Sequence, residues 1–93
     1  MKTGIELIAE ERQRQIEKWG STEAHDIIHD NYELSRAASA ISYTAPDDVK
    51  ALIYAPDWAW DLREKYVDDN IKRLQIAGAL IAAEIDRIQN KIK

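Results

Sequence analysis

The sequence predicts an all-α fold: a small helical bundle with a long C-terminal helix, completed by oligomerisation. Three observations predict it. Two prolines and three glycines in 93 residues leave little to interrupt helices. Apolar residues recur at three- and four-residue spacings in the first, second and last thirds of the chain. The last third also carries a heptad pattern with two apolar sides, more than a chain this short can cover by itself.

The first helix is expected over TGIELIAEERQRQIEKWG. Thr3 can cap it, with Glu6 as the capping-box partner three residues on, and Gly20 is a natural stop. Its apolar seam runs Ile5, Ile8, Ile16 and Trp19, and the missing member between 8 and 16 is Arg12. An inward arginine is costly unless it is paired, so Arg12 stands apart from the other charges. The plainer reading is that Arg12 snorkels past its neighbours to water.

The second helix is expected to start between Glu23 and Asp30 and to run to about Tyr43. Ile27, Leu34, Ala38 and Ile41 share one face at helical spacing, and Ala37, Ala38 and Ala40 are small enough to let a neighbour approach closely. The middle is punctuated by Pro46 and Pro56, each followed by aspartate, which signals helix starts. A short helix over 47–54, a turn at Ala55-Pro56-Asp57 and a new start near Trp58 follow from that punctuation.

The last helix has the clearest pattern. Val67, Ile71, Leu74, Gly78, Ile81, Ile85, Ile88 and Ile92 follow one another at spacings of 4, 3, 4, 3, 4, 3 and 4. A second apolar set, Ile76, Ala79, Leu80 and Ala83, lies off that seam. A helix apolar on two sides is central in its bundle or packs against another chain. We expect a homo-oligomer, with the second set as the candidate interface.

Composition removes several classes. A hydrophobic share of 45% is that of a globular domain, here one domain over residues 1–93, and excludes a disordered chain. Without cysteine there is neither a disulfide framework nor a thiolate zinc site, which suits a cytoplasmic setting. No apolar run reaches the roughly 18 residues that a membrane span needs, and MKTGIELIAEERQ does not read as a signal peptide. The net charge of −4 argues against general nucleic-acid binding but leaves room for a local basic pocket. No nucleophile elbow or glycine-rich phosphate loop occurs, so acyl transfer and P-loop chemistry are not expected.

Two constellations remain. Asp26, Asp30 and Glu33 follow i, i+4, i+7, which sets three carboxylates on one helical stripe bordering the apolar face. Clustered carboxylates repel unless a cation relieves them, and an all-oxygen set suits Mg²⁺. His25 and His29, the only histidines, could instead join Glu33 around a transition metal. The alternative is a polar helix face with capping and salt-bridge roles. The second constellation is a nucleotide site. Arg12, with Arg14 two residues on, and Arg36 would fork onto phosphate, Trp58 or Trp60 would stack a base, and His29 lies alongside. The alternative there is that the tryptophans are core.

The blocks EERQRQIEKWG, ELSRAASAISY and AGALIAAEIDRI, with an HD-rich stretch and a tryptophan-containing loop between them, resemble a small helical protein family common in phages and prophages. The resemblance runs from about Glu10 to Arg87 and implies an all-helical, phage-related protein in the cytoplasm of a bacterial host. A looser resemblance is to MazG-type nucleotide pyrophosphohydrolases, helical oligomers that hold Mg²⁺ with E-x-x-E and E-x-x-D motifs. Glu23-Ala24-His25-Asp26 fits E-x-x-D, and Asp30-Asn31-Tyr32-Glu33 is its reverse. Glu84-Ile85-Asp86 departs from the second motif, so Glu10, Glu11 or Glu84 would have to supply the facing carboxylates.

Three functions are therefore expected to compete. The first is a MazG-like Mg²⁺-dependent pyrophosphohydrolase, with Asp26, Asp30 and Glu33 on the metal and Asp30 and Glu33 catalytic. The second is a phage sponge that sequesters a cyclic or other nucleotide signal without any cofactor. The third is a helical interaction or inhibitor module that takes no ligand.

Overall fold

A computed structural model describes residues 1–19, 33–43 and 53–92, and among these the regular structure is entirely helical. Helix α1 spans Gly4–Trp19, α2 Glu33–Ser42, α3 Asp57–Lys65 and α4 Asn70–Ile92. The all-α architecture with a long last helix is as expected.

The starts of α1, α3 and α4 each have a local cause. At α1, the Thr3 N–H donates to Glu6 Oε1 at 2.9 Å and the Glu6 N–H to Thr3 Oγ1 at 3.2 Å, the reciprocal pair of a capping box. At α3, Pro56 sits at the N-cap with extended geometry, φ −68° and ψ 157°. Its carbonyl accepts the Ala59 N–H at 3.0 Å. At α4, Asp69 Oδ1 accepts the Lys72 N–H at 3.0 Å. That cap starts the helix at Asn70, so Val67 belongs to the preceding turn and not to the helix. The expected helix over 47–54 does not reach its expected end, because Ile53 and Tyr54 are non-helical; residues 47–52 lie outside the described set.

Helix α4 is the hub, with α2 packed along it most extensively, α1 next to it, and α3 resting on α2. The core is built from Leu34, Ala37, Ala38 and Ile41 of α2 against Ile76, Ala77, Leu80 and Ala83 of α4. The alanines of α2 are nearly or wholly buried, as their size foretold: small side chains on both partners shorten the interaxial distance. Ala59, Trp58, Leu62 and Tyr66 complete this core from the α3 side.

The two apolar sides of α4 are therefore assigned the other way round from expectation. Ile76, Ala79, Leu80 and Ala83 are the inward set, with Leu80 wholly buried, and cannot be an intermolecular interface. The heptad seam faces out: Ile71, Leu74, Ile81, Ile85 and Ile88 are all exposed. In a helix the two sets lie on opposite faces, about 180° apart at 100° per residue. The α1 seam needs the same correction at its first member, because Ile5 is 83% exposed.

Gly78 shows how α1 is seated. A Cβ there would lie 2.5 Å from Ile8 Cδ1 and 2.7 Å from Ile8 Cγ1, so α1 rests its isoleucine directly on the α4 backbone. The molecule measures 40 × 34 × 19 Å, and its short dimension is about two helix diameters. In a slab about two helices thick, no described helix covers the Ile81–Ile85–Ile88 side of α4.

Leu80→Ala is expected to lower stability by about 2–5 kcal/mol in urea denaturation, and a loss below about 1 kcal/mol would mean that this face is not the core. Gly78→Ala should gain helix propensity, worth about 1 kcal/mol, only when Ile8 is also cut to alanine. A double-mutant cycle should show that coupling, and strict additivity would mean that α1 does not sit on Gly78.

Candidate functional site

On α1, residues 11, 12 and 15 fall on one side of the helix, and that side faces inward. Glu11 and Gln15 are 1% exposed and Arg12 8%. Among the five largest fully buried side chains, Gln15 and Glu11 stand beside Leu34, Ile41 and Leu80. Buried charge is costly unless every group is paired, so the partners matter.

Glu11 is gripped by a fork. Arg14 donates from Nε to Oε1 at 3.0 Å and from Nη2 to Oε2 at 2.5 Å. Lys72 of α4 reaches the same Oε1 at 3.3 Å. Gln15 Nε2 lies 3.4 Å from Oε2, while its buried Oε1 accepts no hydrogen bond among the described residues. Burial pushes the Glu11 carboxyl up, but Arg14 and Lys72 outweigh it and hold the group below its ordinary 4.5. The Glu11 hydrogen bond in turn raises Arg14 above its ordinary value against the effect of burial, and the Glu11 charge and the Tyr66 phenol add to the rise.

Tyr66 draws further cations. Lys65 Nζ lies 5.4 Å and Lys72 Nζ 5.8 Å from the centre of its ring. Lys65 and Lys72 thus lie against one tyrosine, and Lys72 shares Glu11 with Arg14. Among the described residues Glu11 is the only carboxylate within ion-pair distance of any of them. Asp69, close in sequence, accepts from the first turn of α4 instead. The Arg14 side chain is 52% exposed and that of Lys72 28%, so both remain reachable from solvent.

Arg12 does face inward, and it does not snorkel to water unpaired. Its Nη2 donates to Asp86 Oδ2 of α4 at 2.9 Å. Flanking Asp86 along α4, Arg87 Nε donates to the Glu84 Oε1 oxygen, and both residues are buried. Glu11 and Glu84, two of the three carboxylates named through the MazG resemblance, are the buried ones among the described residues. The third, Glu10, is exposed and pairs with Lys2 at 2.6 Å.

A second polar group joins α2 to α3. Trp58 Nε1 donates to Glu33 Oε1 at 2.7 Å, which brings together one expected metal ligand and one expected base-stacking residue. Arg36, three residues further along α2, lies over the Tyr54 ring at 5.1 Å. Trp60 Nε1 donates to the Ala55 carbonyl at 3.2 Å. Both tryptophans are half-buried. At the far end of α2, Arg63 and Arg73 converge on the Tyr43 carbonyl, Arg73 at 2.9 Å, and Arg63 also bonds the Ala40 carbonyl at 2.8 Å. These cations complement the negative end of the helix dipole. Burial and the neighbouring Arg73 charge lower the Arg63 pKa.

The structure thus joins Glu33 to Trp58 and places Arg36 on Tyr54. It puts Arg12 elsewhere, between α1 and α4. Asp26, Asp30, His25 and His29 lie outside the described residues. Among the described residues, no three acidic or histidine side chains gather closely enough to hold a metal. Glu11 and Arg14 are candidates the sequence offers separately, as a facing carboxylate and as a phosphate-binding arginine; their pairing with each other, and with Lys72 and Tyr66, is not foretold by it. Its one readable signal was the i, i+4 placement of Glu11 and Gln15 beside the inward Arg12.

No family model, no curated protein and no solved structure matches this chain. Among the described residues the geometry defines an all-helical bundle whose α1–α4 contact joins the apolar Ile8–Gly78 seat to buried ion pairs, beside an apolar α2–α4 contact.

Because the Glu11 pKa is depressed in the folded state, its contribution to stability is present above the ordinary value of 4.5 and is lost as pH falls through the lower folded value. Glu11→Gln should therefore flatten the acid limb of stability below about pH 4.5 and lower stability at pH 7. Urea midpoints taken at pH 7, 5, 4 and 3 would show this. An acid limb parallel to that of the unaltered protein would mean that Glu11 is not held ionised in the fold.

Proposed function

We propose that this chain handles a nucleotide, as a Mg²⁺-dependent pyrophosphohydrolase of the MazG-like, phage-related kind. One observation carries the reading. In a chain of net charge −4, Arg14 and Lys72 grip a single buried carboxylate, and Lys72 and Lys65 lie against the ring of Tyr66 beside it. Such a local surplus of positive charge attracts a polyphosphate. The Arg14 fork and the Lys72 and Lys65 ammonium groups offer charge-assisted donors to phosphate oxygens. The Tyr66 ring offers a face for a base. Glu11 fixes Arg14 and Lys72 in place before any ligand arrives, which reduces the entropy lost on binding.

The catalytic half of the proposal rests on Asp26, Asp30 and Glu33. Three carboxylates form an oxygen-only donor set of the type Mg²⁺ accepts, and Trp58 orients Glu33 by its 2.7 Å hydrogen bond. Mg²⁺ bound there would neutralise phosphate charge and acidify a water molecule. Arg36, carried on the same helix as Glu33, would sit on the phosphate side of that carboxylate set.

The test is a nucleotide balance by mass spectrometry, with purified protein, Mg²⁺ and a pool of nucleoside triphosphates and cyclic oligonucleotides. Conversion of a triphosphate to monophosphate and pyrophosphate is expected. Glu33→Gln should abolish that conversion and spare binding. Lys65→Ala and Lys72→Gln should each weaken binding several-fold, roughly 1 kcal/mol. A nucleotide retained intact would replace hydrolysis by sequestration at the same cations. A pool that emerges unchanged and unbound would overturn the nucleotide reading altogether.

A further inference from the structure

Helix α4 spends one apolar face on the core and keeps a second one in water. Ile71, Leu74, Ile81, Ile85 and Ile88 are between 46% and 67% exposed. They recur at spacings of 3 and 4, with Gly78 completing the stripe. Scattered exposed isoleucines need no explanation, but a continuous stripe on one helix face does. The stripe extends 17 residues, about 26 Å at 1.5 Å per residue. At Gly78, where the stripe has no side chain of its own, Ile8 of α1 lies against the backbone and keeps the surface apolar.

The stripe opens at one end into a groove. Gly4, Leu7 and Ile8 of α1 and Ile71, Leu74 and Gln75 of α4 line a cleft of about 270 Å³. Gln75 closes its floor by donating to the Leu7 carbonyl at 2.8 Å. No charged side chain lines it. It is a hole for an aliphatic side chain, and the seam itself supplies such side chains.

We infer that the exposed face of α4 pairs with the same face of a second copy of this chain. The heptad spacing carries the choice of occupant. Apolar residues at every 3.5 positions keep a seam facing a partner helix with the same repeat, whereas a globular partner imposes no such period. The area agrees. Five side chains burying about 100 Å² each give about 500 Å² per copy and about 1,000 Å² for the pair, which reaches the threshold of a stable interface before flanking residues are added. On one flank Gln75, Ala82 and Gln89 are uncharged, and on the other Ala77 is small and Glu84 is buried and paired with Arg87, so these residues do not set like charges against one another. In this arrangement the groove of one copy receives a seam residue of the other. This inference is independent of the nucleotide reading and is tested without ligand.

Sedimentation equilibrium at 10–100 μM, as a rough working range, should give at least twice the 10.7 kDa chain mass. Ile81→Glu with Ile85→Glu should return the single-chain mass with unchanged helical circular dichroism. The unaltered protein running as one chain would overturn the proposal, and so would a double variant that keeps the unaltered mass. Because the chain has no cysteine, a second readout covers the case in which the charged variant does not fold. Ile81→Cys, at the middle of the seam, should cross-link to its own copy under mild oxidation, and Glu64→Cys on the exposed side of α3 should not. Equal cross-linking of the two would overturn the proposal.

Discussion

The arrangement depends on a carboxylate that an apolar core would exclude. Glu11 is 1% exposed and ionised, and it keeps that state because Arg14 forks onto it and Lys72 reaches it from α4. Removing one partner of a buried ion pair costs about 3–5 kcal/mol, whereas replacing the whole pair by well-packed apolar groups is often neutral or stabilising. A chain selected for stability alone has no need of this group. What the group does achieve is geometric. It ties α1 to α4 through Lys72 and holds that lysine beside the Tyr66 ring.

Helix α4 meets its neighbours by two different kinds of chemistry. Against α2 it is apolar, with small residues on both sides and close approach. Against α1 it is charged, with Glu11–Lys72 and Arg12–Asp86 at 3.3 and 2.9 Å and the Gln75 bond to the α1 backbone between them. The apolar contact supplies stability in proportion to area. The charged contact supplies specificity, since like charges or a shifted register would leave ions buried without partners. The third side of α4 is apolar and exposed, and it is the face proposed to pair with a second copy.

Much of this was legible from local chemistry. The Thr3–Glu6 box, the Pro56 start and the α2 alanine face are decided within a few residues, and each stands as expected. The inward placement of Arg12 was also legible, because it interrupts an otherwise regular apolar spacing. The orientation of α4 was not. Both of its faces are apolar, and the regular heptad is the more conspicuous pattern, but regularity reports only that a face meets a helix, not which helix. The alanine-rich set wins the interior because α2 presents alanines to it. For the site, Glu11 is among the candidate carboxylates, but the burial of Glu11 and Gln15 was hidden because a sequence reading assigns buried positions to apolar residues. Their burial follows from Lys72, 61 residues away along the chain, which local patterning cannot see.

The most direct test of the account is a carbon-detected NMR titration of the Glu11 carboxyl in the folded protein. The account predicts a midpoint below the ordinary 4.5, with Arg14 Nε–H shifts following the same curve. A midpoint at or above 4.5 would mean that burial prevails over Arg14 and Lys72, and would remove the charged contact between α1 and α4 on which the proposed site is built.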